Sequence, residues 1–160
     1  MITWQALEEA APQIAQLGKR RLEATRVVLL GTLQRDGSPR ISPVEPYLSQ
    51  GELLFGSMAR SAKTRDLLRD SRCVVHSAVT GPDAGELELK LYGDAVEASP
   101  QLRADCAEGW WHGRPASAAV VFAVRIARAV LVEWDLGRGQ MIVRRWSEGG
   151  GVSEERRSYP

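Results

Sequence analysis

The stretch Gly31–Lys63, GTLQRDGSPRISPVEPYLSQGELLFGSMARSAK, restricts the fold of this chain more than any other. Asp36-Gly37 and Gln50-Gly51 each separate two β-prone runs. Such dipeptides mark tight hairpins, and Asp-Gly suits a two-residue turn in which both positions take positive φ. The returning segment Pro39–Leu48 carries Pro43 and Pro46. Neither has an N–H to give a ladder, so the segment must run at an edge, a bulge or an open rim. The next strand, Glu52–Ser57, ends in Gly56-Ser57, and Ser61 caps a helix over Ala62–Arg69 with Leu67 and Leu68 turned inward.

The remaining pattern extends this plan. Thr3 caps a helix that begins at Trp4, and Pro12 suits the first turn of a continuation, making 1–24 a helical segment. Strands are expected over Val27–Leu33, Arg72–Val79 and Glu86–Ala98, the last two joined by a loop containing Gly81-Pro82. Ser99-Pro100 opens a helix running to about Trp111. Ala119–Asp135 is a long period-2 segment with Phe122, Val124, Ile126, Val130, Val132 and Trp134 in phase. Gly137 and Gly139 turn it into a last strand, Gln140–Trp146. The pattern describes a mainly β protein, a barrel of six or seven strands with two or three short helices. A single domain over 1–146 and a flexible tail over 147–160 are expected.

At 160 residues the chain is long enough for one self-sufficient core. With 21 basic and 20 acidic side chains it has no field for gripping nucleic acid. No stretch is apolar enough to span a membrane, and the early Glu8 and Glu9 are unlike a leader, so a cytoplasmic protein is expected. Cys73 and Cys106 are too few for a disulfide framework or a zinc site. Cys73 reads as a small core residue. No second ligand lies at metal spacing from His76 or His112, so no metal site is expected. Phosphate-loop, dinucleotide-fold and nucleophile-elbow motifs are lacking.

The turn from Phe55 to Arg65 is the candidate site. The first N–H groups of a helix are unpaired and carry the positive end of its dipole, which favours anions. Arg60 and Lys63 place further positive charge there, a conflict with the dipole that an anionic ligand removes. Basic turns also commonly face water. Gly56, Ser57 and Ser61 around the same turn favour phosphate binding.

Gly37-Ser38-Pro39 after the hairpin, Ser42-Pro43-Val44 in the next strand and Ser61-Ala62-Lys63 at the strand–helix junction carry a resemblance. The segment Val27–Tyr92, with a looser echo to Pro115, resembles the flavin-binding split barrels of the pyridoxamine 5′-phosphate oxidase-like family. The resemblance implies an antiparallel split β-barrel with Greek-key order and a homodimer holding its cofactor at the interface. The implied cofactor is FMN, with the deazaflavin F420 as alternative. The implied function is a flavin- or deazaflavin-dependent oxidoreductase acting on a small, anionic substrate, or a flavin-binding sensor without turnover.

Residue by residue, the resemblance places Arg40, Ser42, Pro43 and Val44 along the flavin ring and Gly56 and Ser57 towards its phosphate. Ser61 and Lys63 match the phosphate-binding serine and lysine, and Glu88 the place of a glutamine that reaches the cofactor. Tyr47, Trp110, His112 and Arg114 match or adjoin the substrate-binding positions. No catalytic residue is assigned, because the redox chemistry would belong to the cofactor. The departures concern anion binding. Ala62 and Ser42 stand where the family has arginines, Tyr47 where it has a lysine, Trp110 where it has a tyrosine and Ala118 where it has a serine. A pocket so altered argues against vitamin B6 phosphate as substrate. His76 reads as a hydrogen-bonded strand residue, Glu45 as rim polarity or a carboxylate at the ring edge, and Trp110 and Trp111 as packing or stacking residues.

Overall fold

The computed structural model describes residues 1–79, 81 and 87–158; Pro82 and Glu86, placed above in a loop and a strand, lie outside the described residues. Helices α1 (Trp4–Ala10) and α2 (Pro12–Thr25) precede β1 (Val28–Leu33), β2 (Pro39–Val44), β3 (Pro46–Ser49) and β4 (Glu52–Met58). Then follow α3 (Ala62–Arg69), β5 (Arg72–Ser77), β6 (Glu88–Glu97), α4 (Pro100–Asp105), β7 (Ala119–Asp135), β8 (Gln140–Ser147) and β9 (Gly151–Ser158). The strands pair antiparallel in the order β2-β1-β5-β6-β7-β4-β3, and β8 and β9 extend from β7. Only Glu45 separates β2 from β3, yet these strands end the seven-strand path on opposite sides. The sheet must therefore curl until its two edges meet, which makes it a split barrel. Pro43 and Pro46 sit on these single-neighbour strands, where a missing N–H breaks no second ladder.

The barrel interior holds Leu30, Val75, Leu89, Leu91 and Ile126, with Phe55 and Phe122 stacked at 5.5 Å between ring centroids. Trp4, Leu7, Ile14 and Leu22 from α1 and α2 join this core. The Thr3 side chain caps α1 by accepting from the Ala6 N–H. A Cβ at Gly18 would sit 3.0 Å from the Leu89 side chain, so α2 packs closely on β6. Strand β4 is buried on both faces. Leu53 and Phe55 face the main core, whereas Leu54 joins a second cluster with Cys106, Trp111, Ala119, Val121 and Ala123.

Several expectations are corrected. The turn at Asp36-Gly37 is a three-residue loop in which Gly37 alone has positive φ (83°), closed by Gly37 N–H to the Gln34 carbonyl. Asp36 instead accepts from the Ser38 amide and hydroxyl. The two-residue turn with both φ positive occurs at Gln50 (51°) and Gly51 (74°), between paired Ser49 and Glu52. The helix after Ser99 stops at Asp105 and does not reach Trp111. Leu67 is buried but Leu68 is exposed, since consecutive helical residues diverge by about 100°.

In β7 the register with β6 shifts between Tyr92 and Gly93, leaving Ala127 as an extra residue. Phase inverts there, so Ala129 and Leu131 continue the core after Ile126, while Val130 and Trp134 are only half-buried. The region 147–160 is not a flexible tail over its described length. Gly151–Ser158 forms β9, fully paired with β8 and exposed along its length. Cross-strand Arg144–Glu154 and Arg145–Glu155 pairs hold it, and Arg144, itself buried, also bonds Glu133.

Gly93 stands beside the bulge, where a Cβ would lie 1.8 Å from the Arg125 carbonyl oxygen. Gly93→Ala is expected to destabilise the fold by about 1–3 kcal/mol through forced backbone displacement, read as a lower midpoint in urea unfolding followed by tryptophan fluorescence.

Candidate functional site

A cavity of about 460 Å³ opens where the ends of β2 and β4 meet the first turn of α3. Of the residues singled out in the sequence, it gathers Pro43, Val44, Gly56, Ser57, Lys63 and Trp110. Val27, Glu45 and Met58 complete its walls. Val27, Pro43, Val44, Met58 and Trp110 make most of the lining apolar. The closure of β2 onto β3 is what brings Val44 and Glu45 beside the end of β4.

Ser61 caps α3, its hydroxyl accepting from the Thr64 amide. The hydroxyls of Ser57, Ser61 and Thr64 form a closed triangle with edges of 3.0, 3.0 and 2.6 Å, and Thr64 also lies 2.8 Å from the Met58 carbonyl. Ser57 and Thr64 are buried. Thr64 was not foreseen, although its position three residues after a capping serine signals it. Lys63 differs from this group: among the described residues its ammonium has no ion-pair or hydrogen-bond partner, and the Ala62 and Lys63 amides have no acceptor. A positive group and the Lys63 amide are thus left beside the cavity.

Trp111 is fully buried, bonds the Arg103 carbonyl through its indole N–H and meets Tyr47 edge-on at 4.7 Å. Any Cβ at Gly56 would lie 2.4 Å from the Trp111 ring and 3.0 Å from the Trp110 indole nitrogen. Gly56 is therefore needed for tryptophan packing as well as for bordering the cavity. The Arg114 guanidinium stands 5.7 Å from the Trp110 ring centre, and its Nε donates to the Trp110 carbonyl. Trp110 is thereby fixed as a wall.

Other expected site residues lie elsewhere in this chain. Ser42 pairs with Leu30 outside the cavity. Arg40 donates from Nε to Asp66 at 2.7 Å and from a terminal nitrogen to Gln34. Glu88 pairs with Lys90 at 2.8 Å and stands 4.0 Å from His76. Tyr47 lines a neighbouring cavity of about 540 Å³ that shares Glu45 with the first. Burial, with the hydroxyl's bond to Glu45, pushes the Tyr47 phenol up to about 12. His112 lines a third cavity, beside Glu97 and Arg103.

Asp66 is a second unforeseen residue. It is buried and receives Arg40, Thr32 and Arg69. Burial alone would raise its carboxyl, but these bonds outweigh it and hold the group below 3.8. Its mark in the sequence is an acid flanked by Arg65 and Arg69.

No family model matches the sequence, and no curated protein matches it. Solved structures do. A pyridoxamine 5′-phosphate oxidase-related, FMN-binding protein from Nostoc punctiforme superposes with a TM-score of 0.68 at 14% identity, over 96% of this chain and 99% of that one. The chain has the split-barrel fold of the pyridoxamine 5′-phosphate oxidase-related proteins. PhzG from Burkholderia lata, solved with tetrahydrophenazine-1-carboxylic acid, gives 0.66 at 14% identity over 96% and 92% of the two chains. A heme-binding protein from Mycobacterium smegmatis gives 0.63 at 17% identity over 92% and 89%. The same barrel thus serves different ligands. Among the described residues no helix is long and apolar enough to cross a membrane.

Because the folded-state pKa of Asp66 is depressed, its ionised form stabilises the protein above pH 3.8, and that contribution is lost as pH falls below this value. Asp66→Asn is expected to lower the melting temperature at pH 7, with the gap from the parent protein narrowing below pH 3.8. Thermal melts across pH 3–7 measure it; a gap that does not depend on pH would show that the carboxylate charge is not what matters.

Proposed function

We propose that the protein binds FMN in the Lys63 cavity and works as a cytoplasmic flavin-dependent oxidoreductase on a small anionic substrate. The observation that carries this reading is the Lys63 ammonium, without a partner among the described residues, beside the free Lys63 amide at a cavity whose remaining walls are largely apolar. A phosphate-tailed, flat aromatic ligand needs that combination: donors and positive charge for the tail, apolar surface for the ring. The cavity volume falls within the usual range for small-ligand sites. The residues present fit the group even though Ala62 supplies no guanidinium.

Bound flavin would supply the transfer of an electron pair. The chain's part is to hold and orient it. The Lys63 ammonium and amide would take the phosphate. Pro43, Val44 and Trp110 would border the ring, and Glu45, braced by the Tyr47 hydroxyl, would present a carboxylate at the same cavity. Arg114, seated over Trp110, would steer an anionic substrate. A heme reading is less favoured, because neither His76 nor His112 lines this cavity.

A homodimer belongs to the same proposal. Leu29 and Ile41 are exposed on the outer face of β1 and β2, beside Pro43 of the cavity wall. An apolar surface continuous with the cavity rim is suited to a second copy. Ser42, Arg40 and Glu88 do not line the cavity, and Arg40 and Ser42 lie on the opposite face of β2 from Ile41, so this contact would not carry them to the site of the other copy.

The purified protein is expected to carry the absorbance of oxidised flavin, with FMN released on denaturation; a released deazaflavin would instead assign F420. Lys63→Ala should weaken FMN binding by about 1.5–3 kcal/mol, the worth of a charged hydrogen bond. Fluorescence titration measures this, and unchanged affinity would remove Lys63 from the site. Turnover of the reduced cofactor with a panel of acceptors separates an enzyme from a flavin sensor.

A further inference from the structure

We propose a second binding site, for a multivalent oxyanion such as a pyrophosphate or phosphoryl group, on a different stripe of α3 from Lys63. Ala62, Arg65, Asp66 and Arg69 stand at i, i+3, i+4 and i+7 and so share one side of the helix. They face Arg35 and Arg40 of the β1–β2 hairpin across a cavity of about 350 Å³ that has no lining residue in common with the Lys63 cavity.

Four guanidinium groups line the cavity with one carboxylate, Asp66, and the Asp36 carboxylate of the same hairpin also acts on Arg40. The Asp66 carboxylate is already spent: one oxygen takes Arg40 and Thr32, and the other takes Arg69. Each of three arginines is anchored by only part of its fork. Arg40 also bonds Gln34, Arg69 the Leu33 carbonyl and Arg65 the Arg60 carbonyl. Arg35 has no partner among the described residues. Guanidinium groups held in place with donors to spare are preorganised for planar, bidentate recognition of phosphate. The excess of positive charge favours an anion carrying more than one negative charge, and the Asp66 bonds already meet the ordering cost of Arg40 and Arg69.

The oxyanion has two possible sources: a separate small anion, or the far end of a ligand whose other part fills the Lys63 cavity. The site itself does not depend on the flavin reading. Inorganic pyrophosphate is titrated calorimetrically into the full chain at low salt. One saturable site is expected, weakened at least tenfold in an Arg35→Gln/Arg65→Gln double variant and unchanged in Lys63→Ala. Neither substituted arginine holds Asp66, so the double variant should keep the parental melting temperature. If it does not, Arg35→Gln alone is titrated and must still weaken binding. Repeating the titration after loading with FMN separates the sources, since unchanged affinity marks an independent anion and competition marks one ligand reaching both cavities. Absence of saturable binding at millimolar pyrophosphate, or loss in Lys63→Ala with the arginine variants unaffected, would overturn the proposal.

Discussion

The one-residue link at Glu45 governs the architecture. Two strands that follow each other in sequence are parted to opposite edges of a seven-strand path, and only a closed surface lets a single residue join them. Pro43 and Pro46 make the parting cheap, because they lie where no second neighbour asks for an N–H. Closure shelters the main core, and it also produces a seam. The Lys63 cavity lies at that seam, so the feature that shuts the barrel is also the one that shapes its candidate site.

Around the cavity, polar groups divide into those already engaged and those left available. The hydroxyls of Ser57, Ser61 and Thr64 satisfy one another and the cap of α3, which makes them a rigid platform more than a reserve of donors. The ammonium and amide of Lys63 are the available ones. Tryptophan packing supplies the opposite wall. Gly56 and Gly109 are both pressed against Trp111, where any side chain would collide with the indole. The rigidity of that wall therefore comes from the second core and needs no ligand to maintain it.

Local signals in the sequence carried much of this. The capping residues Thr3, Ser61 and Ser99 act over a few bonds, and each caps the helix expected of it. Edge placement of the proline-bearing strand follows from a missing donor, again a local property. What escaped the sequence depends on distant neighbours. The two-residue turn expected at Asp-Gly is found instead at Gln-Gly, because the register of the flanking ladders decides loop length. The inversion of phase at Ala127 comes from the meeting of β6 with β7, which periodicity within β7 alone cannot express. Strand β9 is polar throughout and is held by arginine–glutamate pairs to β8, so composition made it resemble a loose tail. Lys63 and Ser57 were legible as cavity-lining residues from the turn they flank, and Val44 from the resemblance. Asp66 and Thr64 were not, since their importance arises from burial and from partners brought by other strands.

The two thiols have a chemical consequence of their own. Cys73 and Cys106 are both buried, and burial pushes the Cys73 thiol up to about 12, with Cys106 shifted the same way. Thiolate is the reactive form, so burial and a raised pKa both slow the reaction of either sulfur with alkylating reagents while the barrel is shut. Their labelling would act as a clock for opening. Cys73 reports on β5 and the main core, and Cys106 on the second cluster with Trp110 and Trp111, which makes the breathing of two regions separately audible in one native chain.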